Sequence, residues 1–155
     1  MPFRIRALPA APFAGLSGLS EAALSARLIK RLVVDNCPGY PCRGSLEDAR
    51  PGETVHLLHF THQEAATPFR ASHAIYVRDG VASADLPQGV VPEMIRRRTI
   101  SLRAFDSSGM MVNADIAEGV DVAACIETLF RHPSTDYIHL HFAKQGCFAA
   151  RVDQA

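Results

Sequence analysis

Alternating apolar and polar residues near the end of the chain predict two neighbouring strands. Residues 137–142 and 147–152 both alternate, and residues 143–146 separate them. Because every second side chain of a strand points to the same face, we expect the apolar residues of both segments on one face. The polar residues expected on the other face are His139, His141, Cys147 and Arg151.

The loop between these segments predicts how the two strands pair. Residues 144–146 fit a three-residue hairpin loop that ends in a glycine in the left-handed conformation. A two-residue loop would shift the register by one residue and set polar side chains against apolar ones. The expected pairs are Ala143 with Cys147, His141 with Ala149, and His139 with Arg151.

Further strands are predicted along the chain by the same alternation. Residues 54–61 carry His56 on one face and His59 on the other, with His62 following on the His56 side, as expected of a central strand that is covered on both sides. The other predicted strands are residues 3–7, a buried strand at 32–34, residues 73–78, and a hairpin of residues 99–106 and 110–114.

Helices are predicted where apolar residues recur three or four positions apart. Ser20 is placed to cap a helix that extends to about residue 31, and Pro92 suits the start of a short helix that ends in residues 96–98. A third helix contains Val122, Ile126, Leu129 and Phe130 and stops before Pro133. Residues 35–51 are predicted to form a long loop with one helical turn after Ser45.

Hairpins outnumber strand–helix–strand units in this pattern. We therefore predict an α+β fold with a largely antiparallel sheet built from hairpins and backed by about three helices. The 155 residues are 48% hydrophobic and contain no linker-like segment, which predicts a single domain spanning residues 1–155.

Charge and cysteine content narrow the classes of function. Sixteen basic and sixteen acidic residues cancel, which argues against broad binding of nucleic acid or of anionic membranes. No signal-peptide pattern and no run of roughly 18 apolar residues is present, so we expect a cytoplasmic protein. In that reducing compartment the four cysteines are expected to be free thiols.

Two histidines on one strand suggest a metal site. The side chains of His139 and His141 project in parallel and are able to share a zinc or iron ion if a third ligand is present. Candidates for the third ligand are Cys147, His62 and His56. Against this interpretation, no acidic residue lies at a recognisable motif distance, and the spacing is common by chance.

Cys147 and four arginines suggest a different chemistry. Cys147 begins a strand after a glycine, where His141 and Arg151 would favour its thiolate, although free cysteines more often act as small apolar residues. If several arginines converge, their planar side chains bind carboxylate or phosphate; the alternative is ordinary pairing with aspartates. The arginines in question are Arg43, Arg70, Arg103 and Arg151, and Cys42 lies beside the first of them.

Several short segments occur together, in this order, in a known family. They are Pro38-Gly39-Tyr40-Pro41-Cys42-Arg43 with Ser45-Leu46, His62-Gln63 followed by Pro68-Phe69-Arg70-Ala71-Ser72, Ser101-Leu102-Arg103-Ala104, Gly109-Met110-Met111-Val112, and His141 with Gly146-Cys147-Phe148-Ala149-Ala150-Arg151-Val152. In these segments the chain resembles the bacterial family known as domain of unknown function 1203. The resemblance implies a single-domain bacterial protein, and it brings no established activity, substrate or catalytic residue.

Our main hypothesis from the sequence is a small domain that binds a small anionic ligand in a polar pocket and acts on it. In this hypothesis His141 is the general base and Cys147 the nucleophile, with His62 beside them. The ligand-binding residues would be Arg43, Arg70, Arg103, Arg151 and Cys42. The alternatives are a non-catalytic metal-binding protein that uses His139 and His141, and an interaction or scaffold domain without an active site. The sequence does not identify the ligand or the oligomeric state.

Overall fold

The structure, a computed structural model, describes residues 2–155. Met1 lies outside the described residues, and it is the first residue of the segment in which we expect no signal peptide. The strands in the described range are, in chain order, β1 (Phe3–Arg6), β2 (Lys30–Val33), β3 (Pro41–Cys42), β4 (Glu47–Asp48), β5 (Thr54–Gln63), β6 (Ala71–Val77), β7 (Thr99–Phe105), β8 (Met111–Glu118), β9 (Tyr137–Phe142) and β10 (Phe148–Gln154). The α-helices are α1 (Glu21–Ala26), α2 (Glu93–Arg96) and α3 (Val122–Phe130), and short 3-10 turns lie at Ala11–Phe13, Leu16–Gly18 and Gly119–Asp121.

Within residues 2–155 the strands form two five-stranded sheets. Sheet A has the order β1-β10-β9-β7-β8, and all of its neighbouring strands are antiparallel. Sheet B has the order β2-β5-β6-β3-β4, in which only β3 and β6 are parallel. The predicted α+β class and largely antiparallel pairing are confirmed, with the hairpins divided between two sheets.

Each sheet contributes to its own apolar core. One face of sheet A packs against α2 and α3, where Ile100, Leu102, Ile138 and Leu140 are fully buried. One face of sheet B, with Leu58, Ile75 and Val77, packs against α1 and the 3-10 turns near the N-terminus. The other face of sheet B covers a smaller core of Val34, Cys42, Ala49 and Val55. The opposite face of sheet A, which carries His139 and His141, packs against the end of sheet B.

Three local predictions are wrong at the element level. Helix α1 begins after the predicted cap, since the Ser20 hydroxyl accepts from the Ala23 N–H at 3.1 Å, but it ends at Ala26 and not near residue 31. The strand predicted as buried at residues 32–34 is edge strand β2 (Lys30–Val33), in which Val33 is 66% exposed, although Val34 directly after it is buried. In the long loop, the helical turn predicted after Ser45 is replaced by the small hairpin of β3 and β4.

The terminal hairpin has the predicted strands but a different register. The Phe142 N–H donates to the Cys147 carbonyl at 3.0 Å, and Gly146 takes the left-handed conformation with φ of 81°. Cys147 therefore lies opposite Phe142 and not Ala143, and His141 lies opposite Phe148 and not Ala149. A bulge between Phe148 and Ala150 then restores the predicted pair of His139 with Arg151.

This bulge changes which side chains share a face. Directly paired residues point the same way, so Cys147 joins the face of Phe142, and Phe148 joins the face of His141. The prediction that Cys147 lies on the histidine face, with Phe148 on the opposite one, is therefore wrong. Arg151 does lie on the same face as His139.

Candidate functional site

Four histidines meet where the two sheets face each other, and we call them the histidine cluster. Sheet A supplies His139 and His141 from β9, and sheet B supplies His62 from β5 and His73 from β6. His62 is the extra residue of a bulge, because the residues on either side of it pair with Ser72 and Ala71 in direct succession. Bulges often redirect a side chain at functional sites, and here the bulge brings the His62 ring against sheet A.

Three members of the histidine cluster are close enough to share one ligand. The Nε2 atom of His62 lies 2.7 Å from Nδ1 of His73, and the two rings stack with centroids 4.8 Å apart. The ring centroid of His141 lies 5.0 Å from that of His62 and 5.4 Å from that of His73. One nitrogen from each of these three residues lies within 4.8 Å of the others.

An aromatic ring closes one side of the histidine cluster. The Phe148 ring is almost parallel to the His62 ring, with an interplanar angle of 7° and centroids 5.0 Å apart. It also meets His139 and His141 edge to face. Phe148 therefore excludes water from the inner side of the cluster, while His62 and His73 remain half-buried toward the outside.

Burial keeps the clustered imidazoles uncharged at neutral pH. It lowers the pKa of His62 to about 4 and the pKa of His139 and of His141 to about 3. Burial is also the main cause of the lowered pKa of His73. Proximity of the Arg103 guanidinium lowers all four pKa values further, because a neighbouring cation disfavours a second positive charge.

A backbone carbonyl fixes the tautomer of His141. Its Nδ1 lies 2.9 Å from the Gly146 oxygen. A carbonyl oxygen only accepts hydrogen bonds, so Nδ1 holds the proton, and Nε2 of the neutral ring has a free lone pair. The tautomer of His139 is not fixed in this way, because its Nδ1 is buried without a hydrogen-bond partner in residues 2–155.

Arg103 lies beside the histidine cluster on strand β7. It is paired directly with His139 in sheet A, and its Nε donates to the Ser101 hydroxyl at 3.4 Å. Within the described chain it forms no ion pair with an acidic side chain. Arg103 therefore adds a cation to a region that contains neutral imidazoles and no compensating carboxylate.

A second feature, which we call the arginine–thiol cavity, surrounds Arg43 and Cys147. Arg43 is only 1% exposed and donates from Nε to the Phe148 carbonyl at 2.8 Å and from Nη1 to the Pro41 carbonyl at 2.6 Å. Its Nη2 lies 3.1 Å from the Cys147 sulfur. The cavity has a volume of about 480 Å³, and both side chains line it.

Other cations surround the arginine–thiol cavity. Arg98 binds Asp48 with two nitrogen–oxygen distances of 2.6 and 3.0 Å, and Lys144 is exposed on the hairpin loop. The Phe142 ring contributes to the wall and lies 5.1 Å from the guanidinium carbons of both Arg43 and Arg98. In the part of the chain that the structure describes, neither Arg43 nor Lys144 pairs with a carboxylate.

The structure brings together only some of the residues selected from the sequence. Arg43 and Cys147 meet in the cavity, whereas His62, His141 and Arg103 meet at the histidine cluster. His141 and Cys147 share no hydrogen bond in residues 2–155, because they lie on opposite faces of sheet A and bond to Gly146 and Arg43 respectively. The predicted pairing of a base with a nucleophile is therefore not formed.

Of the three remaining candidates, Cys42 and Arg70 belong to neither feature, whereas Arg151 is paired with His139 of the histidine cluster. Cys42 is fully buried, its sulfur contacts the Tyr40 carbonyl at 3.4 Å, and burial raises its pKa to about 11. Arg70 is exposed and donates to the Glu64 carbonyl. Arg151 is exposed, binds Asp153 at 2.7 Å and lies over the Tyr137 ring.

Sequence reasoning missed His73, Arg98 and Lys144. His73 begins the strand predicted at residues 73–78, and the signal available in the sequence was that this strand follows the one ending near His62. The pairing that places His73 opposite Phe60 is seen only in the structure. Arg98 is the last residue of the short helix predicted after Pro92, where a cation is favoured by the helix dipole and needs no special role. No local pattern indicates that Arg98 reaches Asp48, fifty residues away, because this contact depends on how α2 packs beside β4.

The fold and the site define an α+β protein with two mainly antiparallel sheets and a histidine cluster between them. The chain belongs to the family described as Protein of unknown function (DUF1203), whose model matches residues 39–154. No curated protein and no solved structure matches the chain. None of the described helices combines the length and the apolar character needed to cross a membrane.

Proposed function

We propose that the protein binds a small anionic molecule in the arginine–thiol cavity. The observation that supports this most directly is Arg43, a cation that is 1% exposed, lines a cavity of about 480 Å³ and has no acidic partner in residues 2–155. Burying a charge without a counter-ion is costly, so an anion in the cavity would offset part of that cost.

The donors around the cavity suit a carboxylate or a phosphate. A guanidinium has five N–H donors, and Arg43 uses three of its nitrogens on Phe148, Pro41 and Cys147, which leaves hydrogens on the two terminal nitrogens. Lys144, which is exposed, adds a second cation to the lining. A metabolite-sized anion fits the volume, because small-molecule sites are commonly about 300–1,000 Å³.

Cys147 is the reactive group in this proposal. The Arg43 guanidinium donates a hydrogen bond to its sulfur at 3.1 Å, and the thiol lines the cavity beside that cation. The role of general base predicted for His141 is not part of the proposal, because that ring lies on the other face of the sheet. We propose that the protein works in the bacterial cytoplasm, where a reducing environment would keep this thiol free.

Protection of Cys147 against alkylation tests the proposal. The native protein is treated with iodoacetamide, with and without saturating phosphate, sulfate, acetate or citrate, and each cysteine is quantified by peptide mass spectrometry. We expect at least one anion to slow modification of Cys147 while exposed Cys37 reacts at an unchanged rate. Equal rates at Cys147 under all conditions would contradict the proposal.

A lysine pair provides a matched control for the anion affinity. Lys144 lines the cavity, and the other lysine of the chain, Lys30, is exposed on edge strand β2. We expect Lys144→Ala to lower the affinity for the protective anion roughly fivefold to tenfold, as loss of an interaction worth about 1 kcal/mol would. Lys30→Ala should leave that affinity unchanged. Equal weakening in both variants would indicate only a general charge effect.

A further inference from the structure

We propose a second site in this protein: His62, His73 and His141 together bind one divalent transition-metal ion of the zinc class. This set differs from the pair predicted from the sequence, since His73 replaces His139. The three residues come from three strands, and one nitrogen from each lies within 4.8 Å of the other two. The inference is independent of anion binding at the arginine–thiol cavity.

The orientation of His141 supports a metal ligand. Metal-binding histidines usually donate the proton of their other ring nitrogen to a carbonyl or carboxylate, which fixes the ring and exposes the ligating lone pair. The His141 Nδ1 has this arrangement with the Gly146 carbonyl at 2.9 Å. The bulge at His62 is a second feature that directs an imidazole into the same place.

The contact between His62 and His73 requires only a small movement to accept an ion. Their nitrogens are 2.7 Å apart, as in a hydrogen bond between two neutral rings. Zinc binds imidazole nitrogens at about 2.0–2.1 Å, and tetrahedral geometry then holds two such nitrogens roughly 3.4 Å apart. Opening the pair by under about 1 Å therefore admits the ion, and the proton of the donor ring moves to its other nitrogen.

The surroundings also indicate how the coordination would be completed. Three imidazoles are a recognised ligand set for zinc and leave one position open for water or a substrate. All three are neutral ligands, so the ion would keep its full charge beside the Arg103 cation, which opposes it. An anion such as hydroxide in the open position would offset both positive charges. The half-buried His62 and His73 leave the cluster accessible from solvent.

Titration of the metal-free, untagged full-length protein with cobalt(II) tests the site. Cobalt(II) is the probe because ligation by nitrogen and by thiolate gives different absorption spectra. We expect one cobalt ion per chain, visible bands without a thiolate charge-transfer band, and displacement by zinc. Absence of saturable binding at one ion per chain to the folded protein would overturn the proposal, and so would a thiolate band that disappears in Cys147→Ser.

Variants locate the ion among the histidines. We expect His73→Ala to weaken cobalt binding at least about a hundredfold, since even loss of an outer hydrogen-bond partner costs about 10-fold to 100-fold. His62→Gln is the second variant, because it keeps a neutral polar side chain in the bulge if an alanine there disturbs folding. His59→Ala is the control, since His59 is exposed on the same strand. Unchanged affinity in folded His73→Ala, or equal loss in His59→Ala, would contradict the site.

Discussion

At the scale of single residues, Arg43 connects the two sheets through its side chain. Its guanidinium reaches from the end of β3 to the Phe148 carbonyl at the start of β10, and it also satisfies the Pro41 carbonyl. Burial lowers the pKa of Arg43, but a guanidinium stays charged at neutral pH. Its contribution to stability therefore comes from the hydrogen bonds to these two carbonyls.

Replacement of Arg43 by methionine is predicted to destabilise the fold. The variant removes the cation and leaves two carbonyls without their donor, at a cost of about 1–3 kcal/mol for each group left unpaired. Relief of the buried charge offsets part of this cost, so we expect a net loss of about 2–4 kcal/mol. Urea unfolding measures it, with exposed Arg70→Met as the control, for which we expect a change within about 0.5 kcal/mol. Equal stability of both variants would show that water or another donor replaces Arg43.

His56 predicts a specific dependence of stability on pH. It is 0% exposed on strand β5, between Arg31 on β2 and Val77 on β6, and neither ring nitrogen has a hydrogen-bond partner in residues 2–155. Burial, followed by the charge of Arg31, lowers its pKa, while Asp79 and Glu21 oppose the shift more weakly. Below about pH 6.5 the unfolded chain therefore takes up a proton at this residue more readily than the folded chain does.

We therefore expect His56 to make the protein less stable as the pH falls below about 6.5, and stability to recover as the pH rises. One such group changes the unfolding free energy by at most about 1.4 kcal/mol per pH unit. In urea titrations at pH 5 and 7.5, His56→Leu should lose less stability on acidification than the parent chain. Parallel pH dependences of the two proteins would refute this role of His56.

At the scale of elements, local pattern predicts the strands well and their register less well. The alternation of residues 147–152 assigned Phe148 to the same face as Ala150, because both are apolar and two positions apart. One extra residue in the bulge breaks this alternation and moves Phe148 to the histidine face. Gly146 was correctly expected in the left-handed conformation, because glycine adopts it without steric cost.

The end of helix α1 follows from backbone conformation at Leu28. This residue is 79% exposed and has a φ of 58°, a left-handed conformation that costs a side chain other than glycine about 1–2 kcal/mol. Its position just after the helix is the one at which glycine is normally preferred. The apolar pattern continues through Leu28 and Ile29, which is why the sequence predicted a longer helix.

Leu28→Gly is predicted to raise the free energy of unfolding. We expect a gain of about 0.5–1 kcal/mol, because relief of backbone strain outweighs the greater freedom of glycine in the unfolded chain. Ser25→Gly, inside α1, is the matched control and should lower stability by several tenths of a kcal/mol. A loss of stability in Leu28→Gly like that in Ser25→Gly would show that the conformation of Leu28 carries no strain.

At the scale of the molecule, buried polar contacts join sheet A to sheet B. Gln63 at the end of β5 donates from Nε2 to the Tyr137 hydroxyl at 2.8 Å, and Arg43 reaches Phe148. The histidine cluster lies between these two contacts in the same interface. Sequence patterns identify each hairpin separately, but the meeting of His73 with His141 depends on how two sheets pack, and no local periodicity encodes that packing.

Because these contacts cross the interface, we predict that the two sheets unfold together as one domain. Scanning calorimetry should give a single transition whose calorimetric and van't Hoff enthalpies agree. Tyr137→Phe leaves the buried Gln63 amide without its acceptor at a cost of about 1–2 kcal/mol, and should lower the midpoint by roughly 2–8 °C without splitting the transition. Two resolved transitions, or a Tyr137→Phe effect confined to one of them, would instead mean that each sheet with its own apolar core is an independent folding unit.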